Sequence, residues 1–135
     1  MPLTTLDHYS IRTLKLEETR EFYEQLGMHT GDRPDFPFPG HWLYVGEKAI
    51  VHLVGIDENN PEGLYEYLGE SVDFEEGGGA LDHVAFNATD RAGLKAKLTD
   101  LGVPFKERKV PNMELHQIFV DDPNEITVEI NYWED

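Results

Sequence analysis

The hydrophobic and polar positions of this 135-residue chain follow the same order of periodicities twice. In the first half, an alternating stretch precedes a segment with helical spacing and three short stretches rich in β-forming residues. The second half repeats this order, so each half is expected to form a strand, a helix and three further strands. The expected strands are 6–12, 28–33, 42–45, 49–54, 81–87, 103–109, 115–120 and 126–132, and the expected helices are 16–26 and 90–101.

Turn-forming residues mark the ends of these elements. Gly27 and Gly102 follow the expected helices and predict where they end. Turns at 46–48 and 121–125 would join the last two strands of each half.

The two halves are separated by a segment without clear periodicity. Residues 57–80 contain an Asn-Asn-Pro sequence and three consecutive glycines, so they are expected to form a linker, with one helical turn around 64–68. Strands in runs with one crossover helix per half indicate an α+β protein. We therefore predict a single domain with a first module at 1–56 and a second module at 81–135.

A shift of 75 residues superposes the two halves without a gap. Leu6-Asp7-His8 falls on Leu81-Asp82-His83, and Leu26-Gly27 falls on Leu101-Gly102. From residue 6 to residue 45 the shift gives eight identical pairs in forty positions. Units of such a repeat usually cannot bury their apolar faces alone. The repeat thus predicts two pseudo-symmetric modules that face a shared site.

Candidate metal ligands occupy corresponding positions in the two halves. His8 and His83 each lie on the expected first strand of their half. His52 and Glu129 correspond on the closing strands once two extra residues in the second turn are allowed for. Nitrogen and carboxylate ligands that converge from rigid strands are what a catalytic divalent metal requires.

Other side chains could act beside such a metal. His41 and His116 form a second pair under the shift, and either could orient substrate or transfer protons, with structural hydrogen bonding as the alternative. Arg12 lies on the same expected strand face as the first histidine and could bind an anionic substrate group. Trp42 could line an aromatic pocket, with core packing or a dimer contact as the alternative. His52 could be a fourth ligand, a base or part of the pocket lining.

Composition excludes several classes of partner. The chain carries 27 acidic and 11 basic side chains, for a formal net charge of -16, which disfavours binding to nucleic acid or anionic membranes. It has no cysteine and therefore no disulfide or thiolate metal site. Without an evident signal peptide or a long apolar run, we expect a cytoplasmic protein that acts on a small molecule.

Four segments, in this order and spacing, resemble the vicinal oxygen chelate superfamily. This group includes glyoxalase I, extradiol dioxygenases, fosfomycin-resistance transferases and bleomycin-resistance proteins. The resemblance implies two βαβββ modules whose curved mixed sheets surround a metal held by His8, His83 and Glu129. It also implies a homodimer in which the modules pair within one chain or between two chains. The four segments are Leu6-Asp7-His8, Phe22 to Met28, Leu81 to Phe86 and Phe119 to Ile130.

The resemblance leaves the reaction open. Two histidines and one carboxylate suit Fe(II) and O2 chemistry, which favours a dioxygenase, with Mn, Zn, Ni or Co as alternative metals. Phe119, however, stands where extradiol dioxygenases carry a tyrosine, and His52 stands where glyoxalase I carries a carboxylate or amide ligand. Glu125 also replaces a usual glycine. A glyoxalase-like lyase or epimerase and a metal-free drug-binding protein are therefore the alternatives.

Overall fold

The computed structural model describes residues 2–56 and 77–133. The chain divides into two compact units, Met1–Glu75 and Glu76–Asp135, and the boundary falls inside the expected linker. The helical turn expected around 64–68 lies outside the described residues. In the part of the chain that is described, each unit contains one four-stranded sheet and one helix.

The first unit has the order of elements that the sequence predicts. Its elements are β1 (Tyr9–Thr13), α1 (Leu16–Gln25), β2 (His29–Gly31), β3 (Gly40–Val45) and β4 (Lys48–Gly55). The strand order in the sheet is β1-β4-β3-β2. β1 is parallel to β4, and the other neighbours are antiparallel.

The second unit repeats this arrangement. Its elements are β5 (Val84–Asn87), α2 (Arg91–Asp100), β6 (Lys106–Lys109), β7 (His116–Asp121) and β8 (Thr127–Tyr132). The strand order is β5-β8-β7-β6, with β5 parallel to β8. The two mixed sheets confirm the predicted α+β, two-module fold, and the corresponding strand orders confirm that the sequence repeat is a structural one.

Helix α1 packs on one face of the first sheet, and we call this face and the corresponding face of the second sheet the helix faces; the opposite ones are the far faces. The apolar positions of the strands alternate onto the helix face, and burying one such side chain stabilises the fold by about 1.5–3 kcal/mol. No helix among residues 2–56 and 77–133 is both long and apolar enough to span a membrane. The fully buried apolar side chains are Tyr23, Leu43, Val51 and Leu53 in the first unit and Leu98, Ile118, Val120 and Val128 in the second.

The opening strands begin later than the alternation predicts. β1 starts at Tyr9 and β5 at Val84, so His8 and His83 lie immediately before their strands rather than within them. Leu6 is 75% exposed, because pairing with the closing strand begins only at Tyr9, opposite Val51. The alternation of apolar and polar residues in the sequence therefore extends further toward the N-terminal side than the strand pairing does.

The helix ends follow the sequence signals. Gly27 and Gly102 have φ angles of 113° and 70°, a region that glycine enters without steric cost, and they end the helices as predicted. Asp90 is the N-cap residue of α2, and its carboxylate accepts a hydrogen bond from the Gly93 N–H at 3.1 Å.

The two closing hairpins differ in loop length, and this shifts their registers. In the first unit Val45 pairs with Lys48, whereas in the second Asp121 pairs with Thr127 across a longer loop. A β-bulge between Leu43 and Tyr44 shifts the first register further, so that Trp42 lies opposite His52, whereas Phe119 lies opposite Glu129. The two units therefore share a fold, but the residues that face the closing strand do not correspond between them.

The loop of the second hairpin contains a strained residue. The Asp122 carboxylate accepts hydrogen bonds from the N–H groups of Asn124 and Ile126 at 2.8 and 2.9 Å, which fixes the loop conformation. Glu125 has a φ of 65°, where a side chain with a Cβ is disfavoured. This is the position at which the resemblance described above implies a glycine.

We predict that Glu125→Gly raises the free energy of unfolding by about 0.5–1 kcal/mol, because glycine relieves more strain than it costs in unfolded-chain entropy. Chemical denaturation of the two proteins measures the difference. Glu125→Ala is the control, since it removes the carboxylate but keeps the Cβ. Equal stabilisation by alanine would assign the effect to charge and refute the backbone explanation.

Candidate metal centre

The far face of the first sheet carries three of the expected site residues. Ser10 pairs with His52 across β1 and β4, and Trp42 pairs with His52 across β3 and β4. Arg12, two residues after Ser10, lies on the same face and is exposed. The far face of the first sheet therefore carries His52, Trp42 and Arg12 together.

His52 lies between two other rings on this face. The His8 ring stacks on it with a centroid distance of 3.7 Å and an interplanar angle of 11°. Trp42 stacks on it at 4.0 Å and 13°. Because two rings cannot occupy the same side of His52 at these distances, the three form a sandwich with His52 in the middle.

The surroundings of His52 favour its neutral form. Its Nε2 lies 3.2 Å from the carbonyl oxygen of Ala49, so this nitrogen donates a hydrogen bond to the backbone. Burial lowers the pKa of His52 because it disfavours the charged ring, and positive charge on His8 lowers it further.

The repeated Asp-His pair has the same geometry in both units. His8 Nδ1 lies 2.7 Å from an Asp7 carboxylate oxygen, and His83 Nδ1 lies 2.8 Å from an Asp82 oxygen. An ionised carboxylate can only accept a hydrogen bond, so Nδ1 carries the proton and the neutral ring presents an unprotonated Nε2. This is the tautomer that a metal ligand needs, and a carboxylate in this position is usual behind metal-binding histidines.

His83 and Glu129 are neighbours in the second unit. Their Nε2 and Oε1 atoms are 3.4 Å apart. Two ligands of one tetrahedral ion, each about 2.0–2.2 Å from it, would be roughly 3.4 Å apart. The Glu129 side chain is only 13% exposed, whereas that of His83 is 40% exposed. Both the donor types and their separation therefore fit a divalent metal at this pair.

The described residues of neither unit, taken by itself, gather three potential metal ligands. In the second unit His83 lies beside Glu129, and in the first unit the ring of His8 has Asp7 and His52 as its partners.

The second symmetry pair of histidines lies on the helix faces. His41 is on β3 opposite Leu53, and its Nε2 lies 2.7 Å from a carboxylate oxygen of Glu17 on α1. His116 is on β7 opposite Tyr132, which is buried. The structure thus does not bring His41 or His116 together with His52 or Glu129, because neighbouring positions on a strand point to opposite faces. The repeat alone suggests a site role for both histidines, but their positions on the helix faces do not favour it.

Two residues that contact the candidate ligands were not predicted from the sequence. Asp7 and Asp82 belong to the repeated tripeptide and hydrogen-bond to the histidines that follow them. Their recurrence beside the histidines was the signal that could have indicated them. The hydrogen bond from His8 lowers the pKa of Asp7, because it stabilises the charged carboxylate.

The sequence profile of the glyoxalase/bleomycin resistance protein/dioxygenase superfamily matches residues 5–130. The chain therefore belongs to this superfamily, as its motifs predict. No curated protein sequence matches it significantly.

Solved structures of the same fold cover nearly the whole chain. A protein described as a glyoxalase family member from Bacillus anthracis is 19% identical, with a TM-score of 0.72, over 99% of this chain and 98% of its own. Lactoylglutathione lyase from Agrobacterium tumefaciens is 19% identical, with a TM-score of 0.65 and coverages of 98% and 96%. The fosfomycin resistance protein FosX from Listeria monocytogenes is 15% identical, with a TM-score of 0.66 and coverages of 97% and 94%. Identities this low establish the fold alone.

We predict that Asp82→Asn lowers the pKa of His83, because the hydrogen bond to Asp82 is the largest cause that raises it, followed by the charge of Glu129. The raised pKa means that the pair stabilises the fold at acidic pH and that this contribution fades as the pH rises through the folded-state pKa. An NMR titration of the His83 ring protons in metal-free protein measures the shift. Asp7→Asn, at the equivalent position of the other unit, should leave His83 unchanged, and an unaltered His83 pKa in Asp82→Asn would contradict the role of the hydrogen bond.

Proposed function

We propose that this protein is a divalent-metal-dependent enzyme acting on a small molecule that chelates the metal through two neighbouring oxygens. The metal ligands would be His8, His83 and Glu129. The observation that carries the proposal is the Asp–His pair in both units, which leaves the Nε2 atom of each histidine available to a metal. The separation of His83 and Glu129 supports the same assignment.

A complete site needs a first unit to supply His8 and a second unit to supply the other two ligands. We propose that the protein is a homodimer, with the units that share a site belonging either to one chain or to two. A mixing experiment separates these arrangements. If the site forms between chains, a mixture of His8→Ala and His83→Ala dimers that exchange subunits regains metal binding in one site of each mixed dimer. If the site forms within one chain, the mixture does not bind metal.

In this proposal the protein side chains position the reactants. A bound divalent ion would supply Lewis acidity toward the substrate oxygens. Asp7 and Asp82 hold the two histidine rings in the required tautomer. Arg12, exposed on the far face of the first sheet, is suited to pair with an anionic group of the substrate.

Two reactions are candidates for this ligand set. Two histidines and one carboxylate favour Fe(II) and a dioxygenase reaction, which we propose first. The position of Phe119 favours the second candidate, a glyoxalase-like lyase or epimerase. Phe119 lies directly opposite Glu129, so it offers no hydroxyl group beside that ligand. The lactoylglutathione lyase of the same fold makes hemithioacetals the natural test substrates for this alternative.

We predict that protein purified without chelators binds about one divalent ion per set of three ligands, with Fe(II) preferred over Mn, Zn, Ni or Co. His83→Ala and Glu129→Ala should each abolish stoichiometric binding, because they remove one of three ligands. His116→Ala is the matched control and should retain the metal, since His116 lies on the helix face. Elemental analysis after dialysis measures the stoichiometry.

Failure of the wild-type protein to bind any of these metals, even after reconstitution, would favour a metal-free binding protein instead. Full retention of metal by His83→Ala would overturn the ligand assignment.

We further predict oxygen consumption with catechols or hydroquinones when the protein is loaded with Fe(II). An oxygen electrode measures turnover, and Glu129→Ala provides the blank. Turnover of hemithioacetals or of epimerisable acyl compounds, without oxygen uptake, would instead identify the lyase or epimerase reaction.

A further inference from the structure

We propose that His52 orients the ring of His8 by stacking and is not a metal ligand, and that Trp42 clamps His52 from the other side. This inference rests on the proposed function, because it assigns His8 as a ligand. It makes His52 and Trp42 positioning residues. The observation behind it is the three-ring sandwich on the far face of the first sheet.

The stacked geometry prevents one ion from binding both histidines. A metal bound by an imidazole lies in the plane of that ring, about 2.1 Å from its nitrogen. The planes of His8 and His52 are inclined by only 11°, and the ring centroids are 3.7 Å apart. An ion in the plane of His8 therefore stays roughly 3 Å from the plane of His52, well beyond a metal–nitrogen bond.

The nitrogens of His52 also have little part in holding His8. Nε2 is directed toward the carbonyl oxygen of Ala49, within the same strand. The contact between His52 and His8 is made by ring faces, and that between His52 and Trp42 likewise. A ring of similar shape without nitrogens should therefore preserve the arrangement.

His8 needs such support because of where it lies in the chain. It precedes β1, so no ladder hydrogen bonds fix its backbone. His52 and Trp42, in contrast, sit in the middle of the sheet and pair with each other across β3 and β4. Asp7 holds one edge of the His8 ring at Nδ1, and the stack holds its face. Together the two contacts fix the direction of Nε2.

The test compares His52→Phe with His52→Ala. Stacking predicts that His52→Phe keeps the Co2+ affinity of wild type within a few-fold, whereas His52→Ala weakens it by about tenfold or more, the usual effect of losing a residue behind a ligand. Trp42→Ala should also weaken the Co2+ affinity. His29→Ala removes an exposed histidine of β2 and is the control, which should bind like wild type. Isothermal titration calorimetry gives the affinities, and circular dichroism checks that each variant is folded.

Equal losses in His52→Phe and His52→Ala would show that His52 acts through its nitrogens and would overturn the proposal. Unchanged affinity in His52→Ala would overturn it as well.

A second measurement keeps the inference separate from the proposed function. In metal-free protein, the His8 ring protons should show upfield NMR shifts from the neighbouring ring, kept in His52→Phe and lost in His52→Ala. These shifts, found in a wild-type protein that binds no metal, would support the stack and refute the metal assignment. Their absence from wild type would refute the stack whatever the metal affinity.

Discussion

The parallel pairing of the first and last strands in each unit is the constraint on which the candidate site depends. In the first unit this pairing sets Ser10 beside His52, and in the second it sets Ala85 beside Glu129. A histidine two residues earlier in the chain then lies next to the closing strand. Because the strands of each pair are far apart in sequence, the intervening helix and hairpin exist in part to bring them together.

The symmetry of the repeat is broken at the closing hairpins. A longer loop in the second unit and a β-bulge in β3 of the first together decide which residue faces the closing strand, so that Trp42 faces His52 but Phe119 faces Glu129. The first unit thus builds a stack of rings behind a histidine, whereas the second places a carboxylate beside one. The two repeated modules thus differ in what lies beside their corresponding histidines.

Much of the fold could be predicted from the sequence, because alternation, helical spacing and glycine ends are local signals. Gly27 and Gly102 ended the helices as expected. The first residue of each opening strand was harder to predict, since Leu6 fits the alternation of a strand but lies before the residues that pair with β4. His41 and His116 show the corresponding limit for the site, because identity in a repeat does not say which face of a sheet a residue occupies.

The sequence by itself determined the two-module architecture, the family and the pair of repeated histidines, because each is written in residue order and spacing. Only the tertiary structure decided how those histidines are held. The hydrogen bonds from the rings of His8 and His83 to Asp7 and Asp82 depend on side-chain orientation. The stacking of His8 on His52 depends on contact between residues 44 positions apart in the chain. Neither follows from local periodicity, since the first is set by the rotamers of adjacent side chains and the second by strands that come together only on folding.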